Sequence, residues 1–88
     1  MATVWVPGIL QELTGGKETV PAEGGTVREV VENLDKTYPG FKDAIVKEGV
    51  FVKPGISVVV DGHIVKKGLL HPVGKDSEVF FVPAIGGG

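Results

Sequence analysis

Apolar and polar residues alternate with a period of two at both ends of this chain and with a helical period between them. Val4 and Val6 alternate with Thr3, Trp5 and Pro7, which predicts a strand over 3–7. Gly8 opens a connection, Gly15-Gly16 marks a turn, and 17–21 reads as a second strand completing a long-looped hairpin. Ile9, Leu10 and Leu13 in that loop are placed to fold over one end of the core. Val27, Val30, Val31, Leu34 and Tyr38 then form one apolar stripe, with Glu29, Glu32, Asn33, Asp35 and Lys36 on the wet side. Thr26 begins this helix as a capping box. Its hydroxyl is positioned to accept from the Glu29 amide, and the Glu29 carboxylate to reach back to the Thr26 amide. Pro39-Gly40 ends it.

Beyond the helix, 41–47 reads as a short helical turn with Phe41, Ile45 and Val46 inward, and 49–55 as loop. Ile56, Val58 and Val60 alternate with Ser57 and Val59 in a third strand. Asp61-Gly62 is a hairpin turn, because both central positions of a type I′ turn need positive φ. A short strand over 63–65, a turn at Gly74-Lys75-Asp76 and a last strand over 77–82 follow. Pro83 closes that strand, since proline cannot donate to a sheet ladder. The order is strand, strand, helix, turn, strand, strand, strand. It suits an α+β domain with one main helix packed on one face of a mixed sheet, although propensity alone leaves several topologies open.

Composition narrows the chemistry. With no cysteine there is no disulfide, thiolate metal site or cysteine nucleophile, and a cytoplasmic location is expected. The start, Met1 to Trp5, lacks the basic stretch and apolar run of a secretion signal, and no apolar run is long enough to span a bilayer. The formal net charge of −2 is spread without a basic stripe, so neither nucleic acid nor membrane is expected as a partner. At 88 residues the chain makes one domain, read as 1–83, followed by a flexible glycine tail over 84–88.

Side chains offer little reactivity. Gly15-Gly16-Lys17 has Gln11 and Glu18 where a phosphate loop needs glycine and a hydroxyl. His63 and His71 have no metal-ligand spacing, so no metal is expected. Ser57 and Ser77 lack a nucleophile elbow, Asp61 and Asp76 read as turn formers, and Lys66 and Lys67 as a solvated edge. One surface stands out. Val4, Val6, Val58, Val60, Val79 and Phe81 take the core-facing parity, yet the opposite parity holds Trp5, Val59, Phe80 and Val82, where a solvated face should be polar.

The chain resembles the ubiquitin-like sulfur carriers. They include the small subunit of molybdopterin synthase, the thiamine-pathway carrier and a carrier serving cysteine biosynthesis in actinobacteria. The resemblance runs through Leu13-Thr14-Gly15-Gly16-Lys17, Thr26-Val27-Arg28-Glu29-Val30, Tyr38-Pro39-Gly40, Lys53-Pro54-Gly55-Ile56, Val60-Asp61-Gly62 and Gly74 to Val79. It ends in Val82-Pro83-Ala84-Ile85-Gly86-Gly87-Gly88, similar to the Pro-Ala-Val-Ala-Gly-Gly ending of the cysteine-pathway carrier, with Gly86 in place of alanine.

The resemblance implies a β-grasp, ubiquitin-like fold. It implies a carrier, not an enzyme in itself, although such a chain also serves as the small subunit of a synthase such as molybdopterin synthase. The Gly88 carboxylate would be adenylated and converted to a thiocarboxylate, with Gly86 and Gly87 giving reach and Trp5, Val59, Phe80, Val82 and Ile85 docking partners. No cofactor would be bound; ATP would be used by a ubiquitin-activating-type adenylating enzyme. The sulfur would pass to an acceptor enzyme, either a pterin synthase large subunit or a cysteine synthase. Two other readings stay open: a modifier joined through Gly88 to target lysines, and a plain binding module.

Overall fold

A computed structural model describes residues 1–83. A five-stranded sheet carries the fold. Strand β1 (Ala2–Trp5) pairs antiparallel with β2 (Thr19–Ala22). On its other side β1 pairs parallel with β7 (Glu78–Pro83). Strand β5 (Ile56–Val60) runs antiparallel to β7 and to the edge strand β6 (His63–Ile64). The spatial order is therefore β2-β1-β7-β5-β6, with the first and last strands parallel at the centre. Helix α1 (Val27–Thr37) supplies the crossover. This is the β-grasp arrangement that the resemblance implied, and it is one of the topologies the order of elements left open.

The helix buries one stripe. Val27, Val30, Val31 and Leu34 are buried in a cluster with Val4, Val20, Val58, Val60, Val79 and Phe81 from the sheet. Thr26 caps it as expected, its Oγ1 accepting from the Glu29 amide at 3.2 Å. The reciprocal bond differs from expectation. Glu29 Oε1 accepts from the Gly25 amide at 2.7 Å, one residue before the predicted donor. Thr26 is engaged instead in a bridge with Pro72, where the His71 carbonyl accepts from the Val27 amide at 3.0 Å.

Several boundaries also differ. The first hairpin is set by the register Val4↔Val20, and β2 begins two residues later and ends one residue later than the sequence suggested. Its loop is a 3-10 helix over Gly8–Thr14, with Leu10 packed on the core and Ile9 exposed. Helix α2 (Phe41–Ile45) is short; its N-terminal amides are held by Asp35, whose Oδ1 accepts from Gly40 and Lys42 at 3.2 and 3.0 Å. The segment expected as loop contains a strand: β4 (Phe51–Val52) pairs antiparallel with β3 (Val46–Lys47). A bond from the Lys53 amide to the Ile45 carbonyl at 2.8 Å continues that pairing. Two residues carry too little periodicity to announce a strand, and here the pairing partner creates it.

Candidate functional site

The face of the sheet opposite α1 is the candidate site. Cross-strand partners point to the same side, so the pairings lay out this surface residue by residue. Trp5 lies opposite Phe80, Phe80 opposite Val59, and Val59 opposite Ile64. Four side chains from β1, β7, β5 and β6 thus form one row across the sheet, roughly 14 Å long at the usual strand spacing. Trp5 and Phe80 stack with ring centroids 5.2 Å apart and planes within 10°. The Trp5 Nε1 donates to Glu78 Oε1 at 3.1 Å. Stacking plus this bond fixes the indole plane against the sheet and leaves the rim of both rings toward solvent.

The structure brings together four of the residues the sequence singled out. Trp5, Val59 and Phe80 are half-buried against one another, and Val82, two residues along β7 on the same face, is 46% exposed. Ile64 is the member that sequence reasoning missed, and at 72% exposure it is the most open of the row. The signal was present. A two-residue turn at Asp61-Gly62, with φ of 50° and 85°, pairs Val60 with His63 and so places Ile64 opposite Val59. Ile85, Gly86, Gly87 and Gly88 lie outside the described residues.

The polar groups near this face are committed to structure. Asp61 Oδ2 accepts from the Ser77 hydroxyl at 2.8 Å, and Oδ1 from the Glu78 amide at 2.9 Å. Ser77 Oγ in turn accepts from the Gly74 amide at 2.9 Å. These donors favour the ionised carboxylate, first the Glu78 backbone amide and then the Ser77 hydroxyl, and hold the Asp61 pKa below its ordinary value. The network clips the β5–β6 turn to the start of β7, and it orders Ser77 without activating it. Among the described residues no group of three side chains is placed to hold a metal ion. No helix there is long and apolar enough to cross a membrane. What this face carries is an apolar surface at the flank of the strand that leads toward the C-terminus.

Comparison with known proteins agrees with this fold. The sulfur carrier protein CysO of Mycobacterium tuberculosis is 29% identical over 93 aligned residues, covering 98% of this chain and 97% of that one. The crystal structure of the Amycolatopsis orientalis BexX/CysO complex contains a chain that superposes with a TM-score of 0.94 at 33% identity, each chain covered in full. Crystalline M. tuberculosis CysO gives 0.91 at 26% identity, covering 97% of this chain and 100% of that one. The small archaeal modifier protein 1 of Methanosarcina acetivorans shares the fold, with a TM-score of 0.83 at 23% identity over 99% and 95% of the two chains. The match to the ThiS family spans residues 4–88, and the chain belongs to that family.

Proposed function

We propose that this chain is a sulfur carrier whose working group is the carboxylate of Gly88, presented to partner enzymes by the open face of the sheet. The observation that carries the reading is the apolar row Trp5–Phe80–Val59–Ile64, built on the same strand that runs to Pro83. An enzyme that grips this row holds β7, and five residues beyond Pro83 reach at most about 18 Å. Docking on the face therefore delivers the terminal carboxylate to a channel of limited depth.

The chemistry suits that end. A carboxylate is a poor electrophile. Attack of its oxygen on the α-phosphorus of ATP releases pyrophosphate and leaves an acyl-adenylate, and sulfide then attacks the acyl carbon and displaces AMP to give the thiocarboxylate. Gly86 and Gly87 lack a Cβ, so they pass a narrow channel in backbone conformations closed to other residues. ATP belongs to the adenylating enzyme, and the carrier contributes no catalytic side chain. Membership of the ThiS family and likeness to a named sulfur carrier over nearly the whole chain support the reading. The same likeness, with the Pro83-Ala84-Ile85-Gly86-Gly87-Gly88 ending, favours an acceptor enzyme of cysteine formation over one of pterin formation.

The test is covalent. Tagged full-length protein is recovered from cells that also express its adenylating enzyme, and its adducts are mapped by mass spectrometry. A terminal thiocarboxylate supports the carrier reading. Adducts linking Gly88 to lysines of other proteins, with no thiocarboxylate, would replace it with the modifier reading.

A further inference from the structure

Glu78 is the one charged residue among the described strand positions of the open face, where its neighbours are apolar or, like Thr3, Thr19 and Ser57, neutral. Its backbone is fixed on both sides of β7. The Glu78 amide donates to Asp61 Oδ1 and the Glu78 carbonyl accepts from the Asp61 amide, each at 2.9 Å. One residue earlier, the Ser77 carbonyl accepts from the Thr3 amide at 2.9 Å. This end of β7 is therefore held between the β5–β6 turn and β1, and the Glu78 side chain stands over the face from a fixed root.

The two sides of Trp5 are unequal. Toward β7 it meets the Phe80 ring, with centroids 5.2 Å apart. Toward β2 its partner is Thr19, an exposed side chain too short to confine an indole. Packing alone leaves Trp5 room to tip toward that edge of the sheet. Thr3, not Trp5, pairs with Glu78, so the carboxylate stands diagonal to the indole, two residues back along the neighbouring strand. Long and aromatic side chains bridge such a diagonal. The bond from Trp5 Nε1 to Glu78 Oε1 at 3.1 Å draws the indole toward β7 and against Phe80.

We propose that Glu78 is a positioning residue, which holds Trp5 in its stack with Phe80 and so presets the row that a partner grips. The proposal rests on the docking role given to this face above. A half-exposed aromatic side chain that moves freely must be ordered when a partner covers it, and that ordering is subtracted from affinity. Trp5 is ordered beforehand, so its area counts in full. Glu78 does this through its acceptor oxygen, not through its charge, and it acts through Trp5.

Trp5 is the only tryptophan, so its indole N–H gives a single resonance in nitrogen-resolved NMR of the free full-length chain. The expected wild-type result is an indole as ordered as the β1 amides, with cross-relaxation to the Phe80 ring. Glu78→Ala should release the indole and weaken those contacts while the β1 and β7 amides keep their dispersion, because Glu78 is exposed. In adenylation kinetics with this chain as the varied substrate, Glu78→Ala should raise KM about two- to tenfold at unchanged kcat, the size expected for ordering one side chain on binding. Glu78→Gln, whose amide oxygen still accepts, should restore both readouts. An indole as ordered in Glu78→Ala as in wild type would overturn the proposal, and so would a released indole with unchanged KM. A Glu78→Gln chain that keeps the indole ordered yet raises KM as alanine does would also overturn it, since the partner would then be reading the charge. A wild-type chain that is never adenylated would count against the carrier reading, while the indole measurement, made without enzyme, would still decide whether Glu78 holds Trp5.

Discussion

Gly24→Ala should destabilise the domain far more than the same change at Gly16, and the difference measures a backbone contact. Gly24 precedes α1 at φ +144°, and a Cβ built there would sit 2.7 Å from the Val30 nitrogen and 2.9 Å from both the carbonyl carbon and the Cβ of Glu29. Two of these three atoms are helix backbone, so the clash is relieved only by shifting the first turn of α1. Gly16, at φ +87°, faces open space, with nothing within 4 Å of the point where a Cβ would stand. Gly16→Ala therefore meets only the left-handed penalty of about 1–2 kcal/mol, partly offset by about 0.4–1 kcal/mol from the stiffer unfolded chain. Gly24→Ala meets backbone strain of about 1–3 kcal/mol and a displacement cost of similar size, for a total of about 2–6 kcal/mol. The whole domain has a stability of about 4–13 kcal/mol on general grounds, so this one methyl removes a large share. Urea unfolding followed by far-UV circular dichroism measures both variants. A loss of about 3 kcal/mol would lower Tm by about 12–24 °C in a domain of this size. If the two variants lie within about 1 kcal/mol of each other, the close approach of Gly24 to α1 is not a constraint and the reasoning fails.

Other perturbations test the core, the clip and the face. Leu34→Ala should cost about 2–5 kcal/mol, because Leu34 is 2% exposed and leaves a cavity under α1; a near-zero change in the urea midpoint would remove it from the core. Asp61 has a folded pKa below its unfolded value, so its contribution is present above the unfolded pKa near 4 and is lost as pH falls toward the folded pKa. The stability gap between wild type and Asp61→Asn should therefore be widest near neutral pH and close on acidification, and a gap independent of pH would contradict the clip. Phe80→Asp should leave the domain folded, because Phe80 is only half-buried on the open face, while weakening capture by the adenylating enzyme at least tenfold; loss of folding would make Phe80 a core residue.

Much of this fold is legible in local pattern. Thr26, the Val27–Leu34 stripe and Pro39-Gly40 define α1, and strand parity alone separates Val58, Val60, Val79 and Phe81 from Val59, Phe80 and Val82. What local pattern lacks is pairing information. The β3–β4 ribbon is two residues a side, and its existence depends on a cross-strand partner. The offset in β2 comes from the Val4↔Val20 register, which a long 3-10 loop leaves undetermined in sequence. Asp35 reads as a solvated helix residue because its partners, the amides of Gly40 and Lys42, are beyond the helix end. The site is legible to the same degree: parity finds Trp5, Val59, Phe80 and Val82, while Ile64 needs the turn register as well. The role proposed for the terminal glycines rests on resemblance, since no side-chain pattern points to a carboxylate.

The central claim, that Gly88 carries the sulfur, is tested most directly at the end of the chain itself. Full-length protein is incubated with its adenylating enzyme, ATP and a sulfide donor, then cleaved after Lys75 so that the peptide from Asp76 to Gly88 can be fragmented in a mass spectrometer. The account predicts a single sulfur-for-oxygen exchange confined to the fragments that contain Gly88, and no exchange in a variant lacking that residue. Sulfur found elsewhere in the chain, or exchange that persists without Gly88, would contradict it.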